Sequence, residues 1–280
     1  VDLTGRLVAQ ALQQTMGQSF VVENRAGAGG AIGVEVVAKA PPDGYTLLVV
    51  APGAMTVITH FQKLPYDPVK DFSPVTRLIV SPLLLAVNAS VPVNNVKELL
   101  AYTKSQSGGV NYATTGPGSL SVLAGELLKI MSGANMTAVT YNGGAPAAAG
   151  LAAGQVPVGI IDSAAVLPLE AAGKLRIVAL TEPFRIASRP GIPTIAEAGV
   201  PGYEANSWVA LFAPAGTPPD VVRRLHLDTV KGFENAEIRD RATKAALDLA
   251  FNGPEAMTKL LRGDYDRLGK VITTAGIKAQ

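Results

Sequence analysis

The sequence predicts an α/β fold in which open, doubly wound sheets are covered by helices. Strand-like and helix-like stretches alternate almost throughout the 280 residues, and this alternation is typical of parallel βαβ units. Hydrophobic residues make up 48% of the chain, and Ala, Gly, Val and Leu are common among them. Such a composition suits buried parallel strands covered by small-residue helices. The length allows one large domain or two of ordinary size.

The first elements are bounded by turn and stop signals. Leu3, Leu7, Val8 and Leu12 fall on one helical face, and Gly17 ends that helix. Further along, Pro and Gly separate the apolar stretches and mark a long connection. In order, we expect a strand over 19–23, a helix over 31–40, a strand over 45–50, a Pro-interrupted connection over 63–76, an apolar run over 79–87 and a helix over 94–105.

The later units are shorter and more regular. Each strand is followed by a helix of similar size, until two amphipathic helices close the chain. We expect strands over 110–114, 136–141, 156–161, 175–180 and 207–213, and helices over 119–131, 145–153, 164–172, 218–233 and 255–273, with residues 235–246 between the last two helices.

Two extended apolar runs, Leu83–Val87 and Val209–Ala213, are the best junctions between lobes. If the chain passes from one lobe to the other at both runs, its two termini belong to one lobe and its middle part belongs to the other. We therefore expect residues 1–86 and 211–280 to form lobe 1 and residues 87–210 to form lobe 2, with a ligand cleft between them. Two hinge strands of this kind suit closure on a ligand.

Charge and composition exclude several classes of protein. The 24 basic and 22 acidic residues leave a net charge of +2 without a Lys/Arg run, so the electrostatic footprint of a nucleic-acid partner is missing. The absence of cysteine excludes disulfides and zinc–thiolate sites. No apolar stretch has the length of a membrane span, so we expect a soluble protein whose export signal has been removed.

The sequence also lacks the common motifs in which catalytic residues stand at fixed spacings. His60 and His226 are the only histidines, and neither belongs to an H-x-x-x-H or H-E-x-x-H motif. There is no G-x-S-x-G elbow, since the stretch Gly118–Ser121 has the wrong glycine spacing. We expect no catalytic residue, no metal and no cofactor, and hence a protein that is not an enzyme.

The glycine-rich loop Gly27–Gly33 supports an alternative, a nucleotide-dependent α/β enzyme. The loop follows a predicted strand and opens a helix, as a dinucleotide fingerprint does. Counted from Gly27, however, the third glycine falls one residue late. The acid nearest the expected distance, Asp43, sits in a Pro-Pro-Asp-Gly turn. A tight turn with close helix–strand packing is the competing interpretation.

Three later loops have the chemistry of an anion site. Thr114 and Thr115 end a strand, and Ser119 or Ser121 begins the next helix. Helix N-termini present free N–H groups and favour negative charge, and hydroxyls add donors. The design recurs at Tyr141–Ala147 and, with an acid, at Asp162, and strand ends of open α/β sheets converge on one crevice. With no Lys or Arg in these loops, they predict a neutral cradle for a carboxylate. Asp162 either meets a ligand ammonium or hydroxyl, or caps the helix after it.

Several motifs together resemble one family, the Bug family of extracytoplasmic solute receptors of tripartite tricarboxylate transporters. Residues 21–30 are similar to its V-E-N-R-x-G-A-G-G signature, and residues 38–47 to its A-x-P-D-G-Y-T-L stretch. The resemblance covers essentially the whole chain. It continues through L-P-Y-D-P-V-K-D-F at 64–72, A-G-E-L at 124–127, P-T-I-A-E-A-G at 193–199, S-W at 207–208 and L-F-A-P-A-G-T-P at 211–218.

The resemblance implies a type II periplasmic binding protein of two α/β lobes. It implies capture in the periplasm of a small carboxylate, such as a di- or tricarboxylate, an acidic amino acid or an aromatic acid. The implied protein is a monomer that hands its ligand to membrane permease subunits, or reports it to a sensor kinase, and it does not bind nucleic acid. Members commonly hold the carboxylate through backbone amides, hydroxyls and bridging waters.

One departure concerns the first glycine loop. The family begins with a strand ending P-F-x-x-G-G-x-x-D, and this chain begins near that aspartate, at Asp2. We therefore expect half of the carboxylate clamp to be only partly present. The complete set of predicted ligand-binding residues is Asp2, Gly53, Ala54, Thr56, Thr114, Thr115, Gly118, Ser119, Leu120, Ser121, Tyr141, Gly143, Gly144, Ala145 and Asp162.

Overall fold

The computed structural model describes residues 1–25, 27–116, 119–245 and 247–277. The chain forms two compact units, Val1–Val80 with Trp208–Gly269 and Ser81–Ser207 with the stretch from Lys270 onward. Its elements in chain order are α1 (Asp2–Met16), α2 (Ala31–Ala38), β1 (Leu48–Val50), β2 (Phe72–Val80), β3 (Leu83–Asn88), α3 (Val96–Ser105), β4 (Val110–Thr114), α4 (Leu120–Ser132), β5 (Met136–Thr140), α5 (Gly144–Ala152), β6 (Val158–Asp162), α6 (Ser163–Ala171), β7 (Leu175–Leu180), β8 (Trp208–Pro214), α7 (Pro219–Gly232), α8 (Ala236–Lys244), β9 (Asp248–Leu249) and α9 (Pro254–Ala275).

The first unit is built around β8, which is buried along its whole length. Side chains of a strand alternate between the two faces of its sheet. Val209, Leu211 and Ala213 therefore pack against α1, α7 and α8 on one face. Trp208, Ala210 and Phe212 pack against α2, the stretch around Met55, and α9 on the other. One strand thus contributes to two hydrophobic cores.

The sheet of the first unit has the strand order β1-β8-β2-β9. All its pairings in the described part of the chain are antiparallel, so the parallel βαβ pairing does not occur among the described strands of this unit, while the predicted α/β class with two sheets is confirmed. The reason is connectivity, because β8 returns from far along the chain and inserts between β1 and β2. A parallel pair would need β1 and β2 to be neighbours joined by a crossover.

Two local predictions in the first unit were wrong as well. No strand forms at 19–23, where Val21 is 83% exposed, because a strand needs a neighbour to pair with and this stretch pairs with none of the described residues. Conversely, β2 begins at Phe72, inside the predicted connection. Pro74 is tolerated there because β2 pairs with β8 alone at that point and shifts its register next to the proline.

The second unit contains a five-stranded sheet of order β5-β4-β6-β3-β7. Strands β5, β4 and β6 are parallel neighbours, whereas β3 is antiparallel to β6 and β7. Helices α4, α5 and α6 each follow one of the three parallel strands. The chain moves from β4 to β5 on one side of β4 and then to β6 on the other. The parallel part therefore has the reversal of direction at which open α/β sheets bind ligands.

Candidate functional site

The candidate site is the edge of the second sheet at which the three parallel strands end. Thr114 of β4 lies opposite Thr140 of β5, and Ala113 lies opposite Gly159 of β6. Because the strands are parallel, Thr114, Thr140 and Asp162 end at this same edge. Helices α4, α5 and α6 begin shortly after these ends, so three helix N-termini and their free N–H groups lie along one edge.

The α4 terminus is held by two serines with different roles. Ser119 is the N-cap, and its hydroxyl oxygen accepts from the Val122 N–H at 3.4 Å. Ser121 is buried, donates its hydroxyl to the Ile160 carbonyl and accepts from the Thr115 N–H at 3.3 Å. Ser121 therefore joins α4 to β6 and the loop, and its proton is not available to a ligand. The hydroxyl proton of Ser119 has no acceptor among the described residues.

The threonines at the end of β4 also differ. Thr114 is buried, and its hydroxyl lies 3.4 Å from the Val139 carbonyl and 3.5 Å from the Thr140 hydroxyl. Thr115 and Leu120 are partly buried. Thr140 was not among the predicted residues, although its place at the end of a predicted strand was a sufficient signal. The predicted residue Gly118 lies outside the described part of the chain.

The N-cap of α5, Gly143, presents backbone only, and the exposed Asn142 precedes it. Gly143 has a φ of 111°, which favours glycine, and a Cβ added there would meet nothing within 4 Å. Ala145 is exposed on the first turn. The Tyr141 hydroxyl donates to Gln155 at 3.2 Å and packs on Gly150. Since Gln155 follows the far end of α5, the side chain of Tyr141 points away from the strand ends, and only its backbone lies at the predicted site.

Asp162 ends β6 and stands at the N-cap position of α6, yet its side chain makes no capping hydrogen bond. This removes one of the two roles that the sequence left open. Burial raises the pKa of its carboxyl above the usual range, and a hydrogen bond to its own backbone N–H opposes that effect only in part. The carboxylate adjoins Gly144, where an added Cβ would lie 2.9 Å from Oδ2.

In the first unit, Asp2, Gly53 and Ala54 line one cavity of about 680 Å³. Asp2 is exposed and accepts from the Asn24 side chain at 2.6 Å and from Arg6 at 3.1 Å. The carbonyl of Ala54 accepts from the Tyr66 hydroxyl at 2.6 Å. Thr56 does not line this cavity. It is fully buried in a single π-helical turn, Gly53–Val57, and donates to the Pro52 carbonyl at 3.2 Å.

The Gly27–Gly33 loop lacks the context of a dinucleotide fingerprint, because the described residues before it, 17–25, form no strand. Gly27 has a φ of 125°, and a Cβ there would lie 2.6 Å from Ile32. Asp43 accepts from the Tyr45 N–H at 3.0 Å, as a turn residue does. The geometry favours the tight-turn interpretation over a nucleotide loop.

The described residues contain no group of His, Asp and Glu side chains that could hold a metal ion. His60 packs against Tyr265 and bonds its backbone carbonyl at 2.9 Å, which is a packing role. Within the part of the chain that the structure describes, no helix is long and apolar enough to cross a membrane.

Comparison with known proteins gives one consistent result. The model of the tripartite tricarboxylate transporter family receptor matches residues 4–277. Among curated relatives, a protein encoded between tcbD and tcbE in Pseudomonas sp. (strain P51) is 32% identical over 280 residues, which is 100% of this chain and 83% of the relative. BugT of Bordetella pertussis is 31% identical over 279 residues, which is 99% of this chain and 86% of BugT.

Solved structures agree. Rpa4515 of R. palustris with adipate has a TM-score of 0.76 at 36% identity, covering 99% of this chain and 93% of that one. MatC of Rhodopseudomonas palustris with bound malate has a TM-score of 0.71 at 32% identity, covering 97% and 94%. A TctC solute-binding protein from Polaromonas without ligand has a TM-score of 0.90 at 27% identity, covering 98% and 93%.

Proposed function

Since the chain belongs to the family of tripartite tricarboxylate transporter receptors, we propose that it captures one small organic carboxylate in the periplasm. As a monomer, it passes this ligand to the membrane permease subunits of its transporter. The observation that carries the proposal is the edge of the second sheet, where three helix N-termini lie together. Similar proteins were solved with adipate and with malate, and both are dicarboxylates.

The chemistry of this edge supports binding rather than catalysis. The loops after β4, β5 and β6 contain no Lys, Arg or His, so the negative charge of a ligand is met by backbone N–H groups, helix dipoles and the Ser119 hydroxyl. Apart from the Asp162 carboxyl, this is a neutral donor set, which suits hydrogen bonding to a carboxylate. In the whole chain, the lobes 1–86 with 211–280 and 87–210 are proposed to close on the ligand, which shifts the population toward the closed state.

A thermal-shift screen tests the proposal. The panel contains aliphatic di- and tricarboxylates, acidic amino acids and aromatic acids, with the matching amides as uncharged controls. At a ligand concentration 100 times its Kd, we expect about 2.7 kcal/mol of added stability from the true ligand. If no acid raises the Tm of folded protein, the proposed function is wrong.

A matched pair of cap variants locates the site. Ser119 caps α4 at the candidate edge, whereas Asn95 caps α3, which follows the antiparallel strand β3 and so begins at the opposite edge. Replacing either cap by Ala costs about 1 kcal/mol of stability. We expect only Ser119→Ala to weaken binding of the acid found in the screen, measured by calorimetry. Equal weakening by Asn95→Ala would contradict this location.

A further inference from the structure

Asp162 is the one acidic side chain at the candidate edge, and it stands apart from the other acids of its unit. Within the described residues, its carboxylate has no hydrogen bond or ion pair to another residue. Each of the other acids in the second unit has a partner. These pairs are Glu98 with Asn94 and Asn95, Glu126 with Lys129, Glu170 with Arg189, Glu182 with the Ser207 N–H, Glu197 with Arg185, and Glu204 with Asn206.

The position of this carboxylate relates it to the anion site. It ends β6, the strand next to β4, and its Oδ2 adjoins Gly144 at the first turn of α5. A ligand carboxylate bound by these helix termini therefore has a second negative group beside it. No cation in the three loops offsets the repulsion, and like charges at such close range disfavour binding.

Since no other residue in the described part of the chain bonds the Asp162 carboxylate, a ligand group is well placed to be its partner. A hydroxyl or an ammonium near the ligand carboxylate donates a hydrogen bond to Asp162 and turns the repulsion into an attraction. A plain dicarboxylate offers no such donor. Burial of Asp162 strengthens the preference, because an unpartnered polar group costs more away from water.

We propose that Asp162 is the specificity-determining residue of this site, and that it selects organic acids with a hydroxyl or ammonium donor next to a carboxylate. This inference rests on the proposed function. It narrows the ligand class from carboxylates in general to hydroxy acids and amino acids, and it assigns the distinction to one side chain.

Matched ligand series at constant chain length test the inference. Succinate, malate and aspartate share four carbons and differ by no donor, a hydroxyl or an ammonium. Glutarate, 2-hydroxyglutarate and glutamate repeat the comparison at five. We use the series whose carbon-chain length binds to the protein. In that series, calorimetry on the full chain is expected to show that an acid with a hydroxyl or ammonium donor binds at least ~10-fold more tightly than the dicarboxylate without one.

Two variants of Asp162 separate the contribution of its acceptor oxygen from the contribution of its negative charge. Asp162→Ala removes the acceptor, and we expect the preference to disappear. Asp162→Asn keeps an acceptor oxygen but removes the charge, so a preference for the hydroxy acid persists while one for the amino acid falls. Glu170→Gln, at the far end of α6 and paired with Arg189 at 3.2 Å, is the matched control that leaves the preference unchanged. Circular dichroism verifies that each variant is folded.

The outcomes distinguish a failure of the proposed function from a failure of the role assigned to Asp162. Failure of every acid to bind the wild-type protein overturns the proposed function. If acids bind but the plain acid equals or exceeds its donor-bearing counterparts, the inference alone is overturned. A preference that survives in Asp162→Ala overturns it as well.

Discussion

Trp208, the only tryptophan of the chain, is anchored by a buried carboxylate. Its indole Nε1–H donates to Asp264 Oδ2 at 2.8 Å, and Arg267 donates to the other oxygen of the same side chain. Asp264 is 2% exposed, so the two hydrogen bonds are made away from water. This cluster joins β8 to α9 within the first unit.

We expect Asp264→Ala to lower the free energy of unfolding by about 3 kcal/mol, because it removes the acceptor of the buried Trp208 N–H and one ion-pair partner of the partly buried Arg267. Urea denaturation followed by tryptophan fluorescence and by circular dichroism measures the loss. The control is Asp240→Ala, also within a helix, whose pair with Lys244 is exposed. We expect Asp240→Ala to change the free energy of unfolding by no more than about 1 kcal/mol. Similar losses in the two variants would contradict the assigned role of Asp264.

For single residues of the candidate site, the sequence predicted the residue type but not the direction in which the side chain points. The sequence identified hydroxyls and glycines after three strands, and those that the structure describes follow strand ends at one edge. It could not distinguish Ser119 from Ser121, because the acceptor of Ser121 is Ile160, a residue brought near only by the β4–β6 pairing. The same holds for Tyr141, whose hydroxyl position depends on the packing of α5.

Among the described glycines, Gly125 of α4 leaves the least room for a side chain, where α4 packs on β4. Gly125 in α4 lies against the buried ring of Tyr112 in β4, and a Cβ added at Gly125 would come within 2.3 Å of the ring carbon Cε2 and of the hydroxyl. Since Tyr112 is fully buried, its ring has little room to move. This contact therefore sets the distance of α4 from the sheet, and with it the position of the Ser119 terminus.

We expect Gly125→Ala to destabilise the protein by about 1–3 kcal/mol, because the added methyl overpacks the contact. The matched control is Gly263→Ala in α9, where an added Cβ meets nothing within 4 Å. There the same substitution should stabilise by about 0.5–1 kcal/mol, since alanine is the better helix former. Chemical denaturation gives both values. A stabilised Gly125→Ala would show that α4 can shift without cost.

Elements of the second unit were the most predictable. The strands 110–114 and 175–180 occur with the predicted bounds, and the predicted helix start at Ser119 proves to be the cap of α4. Each is bounded by a local signal such as a glycine or a capping side chain. The predicted strand at 19–23 failed for a non-local reason. Its V-V-E pattern is strand-like, but pairing needs a neighbour, and local sequence does not specify one.

At the scale of the molecule, the two units differ in whether their strands come from one stretch of the chain or from two. All strands of the second sheet come from one continuous stretch, 83–180. The first sheet needs β1 and β2 from one part of the chain and β8 and β9 from another, far along the sequence. The α/β class was predictable from alternation alone, whereas the antiparallel insertion of β8 was not, because long-range order in a sheet leaves no periodic signal.

This difference predicts how fragments behave. We expect an isolated fragment of residues 81–207 to fold cooperatively, because it contains every strand of its sheet, at a lower urea midpoint than the full chain. A fragment of residues 1–80 is expected to remain unfolded, since β1 and β2 both pair with the missing β8. Amide dispersion in NMR spectra and urea denaturation compare the two. A folded 1–80 fragment would contradict the central role of β8.

The insertion of β8 between β1 and β2 also constrains the order of events while the protein is being made. A ribosome releases β1 and β2 early, but the strand that separates them emerges only after the whole of 81–207 has been synthesised. During that interval the second unit can complete its sheet, whereas the nascent first unit has two apolar strands with unused edges. Premature pairing of β1 with β2 would exclude β8. Late completion of the first unit, or a chaperone that keeps its strands apart, is therefore a requirement that the topology places on biosynthesis.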